Sequence, residues 1–352
     1  MEVKDMSEIS PPIEKIEFIP VELLEKKKKK PKKERRYNGL GIIFQKTFLE
    51  LFSLKRVIPY ILLSVIFPFI FSAILTGTLG NIGVMNLDYQ IDIVVNYFTF
   101  YAFFWNAGIL LWLFCGLSAT TFISSEINQG TMIFLLTKPI RRSTIYIGKY
   151  LGYLVNMIIM QFFSLLIALT TTCTIFRVSR KVFATGMYYF IPIFLFSILI
   201  IACVGLILGF LSIINKRVVV GVLVNMLLII TIYFLGIILR LAIPQFYTTY
   251  HLYLLDLGYN LSLIFLFFLS GFGFQPIPTF QKNMGLFFGT YPTMLGDTSK
   301  YLDSLDPENG ITIISSVNSY ISPIVSLIVL VSITVFLLIL GLIILERKDI
   351  SP

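Results

Sequence analysis

Charge is what this chain of 352 residues has least of. Asp, Glu, Lys and Arg make up 13% of it, about half the ~25% of an ordinary soluble domain. Together with 57% hydrophobic residues and a mean hydropathy of +0.87, that excludes a soluble globular enzyme and a disordered protein alike. Histidine is scarcer still, with His251 the single one. The three cysteines, Cys115, Cys173 and Cys203, all fall inside long apolar runs. There they read as buried apolar residues, not as a disulfide framework or a metal cluster. No zinc or di-metal site can be assembled from that inventory, and no cofactor is expected.

The chain does have long uncharged runs. An apolar stretch of ~20 residues spans a bilayer core, and six pass that test: 57–79, 97–123, 150–176, 188–214, 218–243 and 321–345. Five contain no charge, and the fifth in order carries only Arg240 near its end, where a long side chain can reach the headgroups as an interfacial anchor. None alternates polar with apolar as barrel strands do, so the expected fold is all-α, a polytopic membrane protein of six transmembrane helices. A seventh stretch, 257–275, is uncharged but interrupted by Gly258, Asn260, Gly271 and Gly273. With Pro276 and Pro278 behind it, it suits a re-entrant or interfacial hairpin on the outer face, before the last span. Pro59, Pro68 and Pro192 are expected to kink the first and fourth spans.

The net charge of +9 is local: residues 26–36, KKKKKPKKERR, hold nine basic residues and one acidic. Residues 1–37 read as a flexible polybasic cytoplasmic tail. Its Lys26, Lys27, Lys28, Lys29, Lys30, Lys32, Lys33, Arg35 and Arg36 suit an anionic lipid surface, each worth about 1 kcal/mol near the headgroups; no nucleic-acid partner is expected. Residues 38–56 place Leu40, Ile43, Phe44, Phe48, Leu51 and Phe52 at helical spacing with polar residues between, the pattern of an amphipathic interfacial helix. No cleavable leader is expected, because the first 56 residues are polar and the first apolar run is long enough to remain. With both termini cytoplasmic, the inner segments hold 22 of the 28 Lys and Arg, and 276–320, placed outside, is net acidic. Arg177, Arg180 and Lys181 run against that orientation.

The chemistry-bearing segment is 124–149, SSEINQGTMIFLLTKPIRRSTIYIGK, between the second and third spans. Ser124 or Ser125 can cap a helical turn, and Glu126 suits its positive end. Ile127, Phe134 and Leu135 can share a face. Pro139 breaks the run, and Ser143 can cap the helix that becomes the third span. The product is a short helix, a turn and a re-entry, an elbow at 124–142 with Lys138, Arg141 and Arg142 at the membrane surface. The same pattern is also that of an ordinary amphipathic connection carrying positive-inside charges.

Glu126, Gly130, Thr131, Leu136, Pro139, Arg142, Gly148 and Lys149 resemble, in register, the cytoplasmic coupling motif of ABC-2 type transporter permeases. The last span running into Arg347, Lys348 and Asp349 is similar to that family's terminus. The resemblance covers roughly 38–352 and makes 57–352 an ABC-2 type transmembrane domain with 244–320 extracellular; the tail 1–37 lies outside it. It implies a permease in the cell membrane, paired with a second permease copy or paralogue and with separate ATP-binding cassette ATPase subunits. The elbow, with Arg141 beside the motif, would then receive their movement. A separate ATPase agrees with the residues: the nearest approach to a Gly-x-x-x-x-Gly-Lys-Ser/Thr loop ends in Lys46-Thr47, with Gln45 at the glycine position. The chain is therefore not expected to be an enzyme.

An exporter of an unidentified, lipid-like, peptide or otherwise hydrophobic substrate fits the uncharged spans; a non-transporting membrane scaffold or assembly protein is the alternative. Scarce intramembrane carboxylates argue against a proton- or cation-coupled carrier and against an intramembrane enzyme. Three further features carry a bland and a sharper reading. Gly205 and Gly209 can serve packing within the subunit or a dimer contact, and Asn106 and Asn225 can bond a neighbouring helix or line a substrate path. His251 with Tyr247, Tyr250 and Tyr253 fits an aromatic belt better than a catalytic site.

Overall fold

The computed structural model describes residues 39–128, 141–215, 217–290 and 321–347. Helix α1 (Gly39–Leu51) precedes α2 (Leu54–Leu79), the first span. The second span is α3 (Leu87–Tyr101), a π-helical segment at Ala102–Ile109 and α4 (Leu110–Ala119), followed by the short α5 (Ser124–Asn128). Helices α6 (Arg142–Ile175) and α7 (Arg180–Ile214) are the third and fourth spans. The fifth is α8 (Val218–Ile230), a π segment at Thr231–Leu235 and α9 (Gly236–Ala242). Then come α10 (Pro244–Thr249), α11 (Leu257–Ser270), α12 (Pro278–Phe288) and the last span α13 (Pro323–Arg347). Among the described residues six helices are long and apolar enough to cross a membrane, and there are no strands. The protein is an all-α membrane protein of six spans.

Helices outrun the apolar runs that signal them. The second span starts at Leu87, ten residues before hydropathy announces it, because Asn86 caps the helix by accepting from Tyr89 N–H at 2.8 Å and Asp88 sits in its first turn. Helices α2 and α7 contain Pro59, Pro68 and Pro192 within their length. The second and fifth spans depart from α-geometry in their π segments. There Gly108 (φ −95°, ψ −113°) lies against the Tyr233 hydroxyl, with no room for a Cβ.

The second and fourth spans form the interior. Of their most apolar windows 72% and 61% is buried, against 11% for the last span, which packs along one side. Neutral hydrogen bonds knit the inner helices together: Tyr60 donates to Gln161 Oε1 at 2.5 Å, Gln161 Nε2 to Ser197 Oγ at 3.1 Å, and Asn106 Nδ2 to Ser164 Oγ at 3.0 Å. Asn106 and Asn225 thus bond neighbouring helices, Asn225 Nδ2 donating to the Trp112 carbonyl at 3.1 Å. Gly205 and Gly209 face Tyr153 and Tyr146 of the third span, so they serve packing within the subunit.

Helix α11 has 14 residues, about 21 Å at 1.5 Å per residue, which is short of a hydrocarbon core of ~30 Å. It is nevertheless mostly buried. Phe265 stacks on Phe103 at 4.5 Å, and Phe288 of α12 meets Phe103 edge-on at 4.7 Å. Asn96 Oδ1 accepts from Ile277 N–H at 3.0 Å, and Ser326 Oγ donates to Asn260 Oδ1 at 2.8 Å, tying α11 and the residues before α12 to the last and second spans respectively.

A Cβ at Gly116 would meet the Asn225 amide. Gly116→Ala is therefore expected to cost about 1–3 kcal/mol by overpacking. Asn225→Ala should relieve part of that cost, a coupling read from a double-mutant cycle of thermal melts in detergent. Strict additivity would show that the contact is not made.

Candidate functional site: the elbow and the groups that clamp it

The elbow's described ends are each held by buried polar contacts. Glu126 stands on α5, which gives it no exit to solvent: 5% of the residue is exposed. Lys149, two turns into α6, is 8% exposed and lies 2.7 Å from Glu126 Oε1. Two charges this buried are stable only when paired and hydrogen-bonded. Lys149 also donates to the Phe122 carbonyl at 2.5 Å, just ahead of α5, and Lys46 of α1 approaches Glu126 to 3.7 Å from a largely solvated position. One carboxylate therefore joins α1, the end of the second span and the start of the third.

Glycines bring α1 close enough. A Cβ at Gly148 would lie 3.1 Å from Ile43, and one at Gly152 would lie 2.9 Å from the Phe44 carbonyl. Gly148 belongs to the motif read from the sequence. Gly152 does not, and its four-residue offset from Gly148, one helical turn, is the signal that would have found it.

Two capping expectations are corrected. Ser124 does not cap α5. Its Oγ lies 2.9 Å from the Ser212 carbonyl and 2.6 Å from the Asn215 carbonyl, so it serves the C-terminal end of the fourth span, whose last carbonyls lack intrahelical partners. Ser143 does not cap α6 either: the N-cap is Arg141, with extended backbone, no side-chain cap bond and an exposed side chain. Arg142 reaches the opposite way, donating from Nη1 to the Leu345 and Glu346 carbonyls at 3.3 and 3.4 Å. A guanidinium at the C-terminal end of α13 complements that helix's dipole. The elbow's flanks thus grip α1 and the ends of the third, fourth and last spans. Gly130, Thr131, Leu136, Lys138 and Pro139 lie outside the described residues, as do Phe134, Leu135, Lys348, Asp349 and the nine basic residues of 26–36.

A second ion pair lies at the far end of the bundle. Arg240, expected as an interfacial anchor, is instead buried at 7% and paired with the equally buried Asp256. Asp256 also caps α11 by accepting from Tyr259 N–H at 3.0 Å, and it accepts from the Tyr247 hydroxyl at 2.9 Å. Burial first, then the Asp256 carboxylate, hold that hydroxyl above its ordinary pKa, so Tyr247 remains the donor. Arg240 Nη2 donates to the Phe287 carbonyl at 2.5 Å. Gly289, at φ +69°, passes so close that a Cβ would sit 2.6 Å from Arg240 Cδ. His251 is exposed and bonds Tyr253 at 2.8 Å through Nδ1. Among the described residues no three His, Cys, Asp or Glu cluster as metal ligands.

The sequence model of the family described as ABC-2 family transporter protein matches residues 42–350. No curated protein matches the chain.

Removing one partner of the Glu126–Lys149 pair leaves a buried charge uncompensated. Glu126→Gln and Lys149→Met should each destabilise the folded protein by about 3–5 kcal/mol, and the double variant by clearly less than the sum. Melting of the purified chain in detergent measures this; additive losses would show that the two charges do not interact.

Proposed function

The chain belongs to the ABC-2 family of transporter proteins, and from that premise we propose that it is the membrane permease of an ATP-driven exporter whose ATP is hydrolysed by separate subunits. The observation that carries this reading is the clamping of the elbow: Glu126, Ser124 and Arg142 tie its flanks to α1 and to the third, fourth and last spans. A push on such an elbow by a cytosolic ATPase would be felt by four elements at once. A loop that merely linked two spans would need none of these contacts.

In this reading the elbow, α1 and both termini are cytoplasmic, and α1 lies in the interface of the cell membrane. Residues 244–320 are extracellular, with 257–275 a re-entrant or interfacial hairpin there. Gly130, Thr131, Leu136 and Pro139 shape the surface that the ATPase grips, with Arg141 and Arg142 beside it. Glu126, Gly148 and Lys149 transmit the movement. A second permease, identical or paralogous, completes the pathway. The tail of 1–37 is held against anionic lipid by its lysines and arginines, each worth about 1 kcal/mol near the headgroups. The spans' scarcity of charge suits a hydrophobic, lipid-like or peptide cargo.

The test is reconstitution of the full chain with its ATP-binding cassette subunits in vesicles. Scrambling 127–140 should abolish co-purification of the ATPase. Gly130→Val or Pro139→Ala should retain ATP hydrolysis while lowering ATP-dependent solute movement about tenfold or more, a loss of coupling of ~1.4 kcal/mol or greater. Normal ATPase binding with the elbow scrambled would overturn the proposal, and an intact complex that moves no solute would favour a scaffold.

A further inference from the structure

Beside the Glu126–Lys149 pair the structure holds a cavity of about 270 Å³, bounded by α1, the first turn of α2, the end of the second span, α5 and the start of α6. Its charged lining is three cations, Lys46, Arg56 and Lys149, against two carboxylates, Glu50 and Glu126. These charges are not equivalent. Lys149 and Glu126 neutralise each other at 2.7 Å. Glu50 is exposed, and Lys46, with 62% of its side chain exposed, stands at the mouth. Arg56 differs from both. Its Nη1 is buried with no hydrogen-bond partner, and its side chain makes no ion pair or hydrogen bond among the described residues.

A guanidinium is always charged and carries five donors in a fixed fork. Nη1 itself is closed to solvent, so an anion in the cavity would meet the guanidinium's other donors, whose charge no counter-ion offsets among the described residues. Glu50 and Arg56 face the same cavity without pairing, so no carboxylate among the described residues supplies that anion. The Thr121 and Ser125 hydroxyls are committed to the Ser118 and Thr121 carbonyls of their own turn, at 2.7 and 2.5 Å. The donors left to a ligand are Arg56, Lys46 and the Thr47 and Ser118 hydroxyls. The volume exceeds many times the ~30 Å³ of one water, enough for a tetrahedral oxyanion with its first waters. The walls also stand where the uncharged runs of the first, second and third spans end, which is the depth of a bilayer's phosphates. The guanidinium fork matches phosphate in geometry as well as charge.

We propose that this cavity binds a phosphate group, held by Arg56 with Lys46 at its mouth. The phosphate can belong to a lipid headgroup or to a small phosphate ester in solution. The site stands apart from the coupling reading, because binding is measured on the permease without ATPase: failure of either leaves the other untouched.

The experiment follows the melting temperature of the full chain in detergent, titrated with dioleoylphosphatidylglycerol, with phosphate-free dioleoylglycerol, or with inorganic phosphate. It is run in 1 M salt, where a screening length of ~3 Å silences the exposed basic tail but not a buried contact. Phosphatidylglycerol should raise the melting temperature and dioleoylglycerol should not. Arg56→Gln should weaken the apparent affinity about tenfold or more, Arg56→Lys less, and Lys46→Gln about threefold, following the strength of charge-assisted hydrogen bonds. Stabilisation by inorganic phosphate as well would assign a soluble phosphate, and a response to the lipid alone would assign a headgroup. Equal effects of the two lipids, or unchanged affinity in Arg56→Gln, would overturn the proposal. Should Arg56→Gln not fold, unchanged affinity in both Arg56→Lys and Lys46→Gln would overturn it equally.

Discussion

A carboxylate and an ammonium that both lose their water must find each other, and Glu126 and Lys149 do so 2.7 Å apart at one end of the bundle. Much else follows from that requirement. Glu126 is fixed only if α5 folds directly onto the start of α6, which holds the elbow's entry against its exit. Lys149 is sheltered only if α1 lies across it, and α1 can lie there because Gly148 and Gly152 remove the side chains that would stand in the way. The value of such a pair is in register more than in net stability, since a well-packed apolar substitute is often no less stable. An apolar contact could slip by a turn, whereas this pair cannot slip without exposing a charge to a medium that does not solvate it.

The far end obeys the same rule with different parts. Arg240 and Asp256 are both buried, and Asp256 satisfies its remaining valence by capping α11 and accepting from Tyr247. That pair holds a helix too short to cross against the end of the fifth span. Between the two ends the interior is knitted by neutral groups, Tyr60, Gln161, Ser197, Asn106 and Ser164. The bundle therefore keeps its charged contacts at its ends, where loops and short helices need fixing, and neutral ones in its middle.

Much of this fold was legible in composition. Runs without charge mark the six spans because a helix is the way a lone segment satisfies its backbone in lipid, and the interrupted stretch 257–275 differs from them for the same reason. The boundaries were less legible. Hydropathy misses the first turns of the second and third spans because caps and polar residues belong to helices as much as apolar ones do; Asn86 and Arg141 begin helices that the apolar count starts later. Within the elbow, residue types pointed to Glu126 and Lys149 as members of a motif, but not to their being partners across 23 positions of chain.

Sequence by itself determined the class: a helical, six-span membrane protein whose charges lie outside its spans or near their ends, since periodicity and hydropathy are local quantities and a bilayer reads them locally. Tertiary structure decided what those charges do. Ser124 serves the fourth span and Arg142 the last. Arg240 pairs with Asp256 instead of reaching toward the interface, and Arg56 faces a cavity without a partner. Each depends on which helix ends meet, and no spacing along the chain encodes that meeting: it is set by the packing of whole helices against one another.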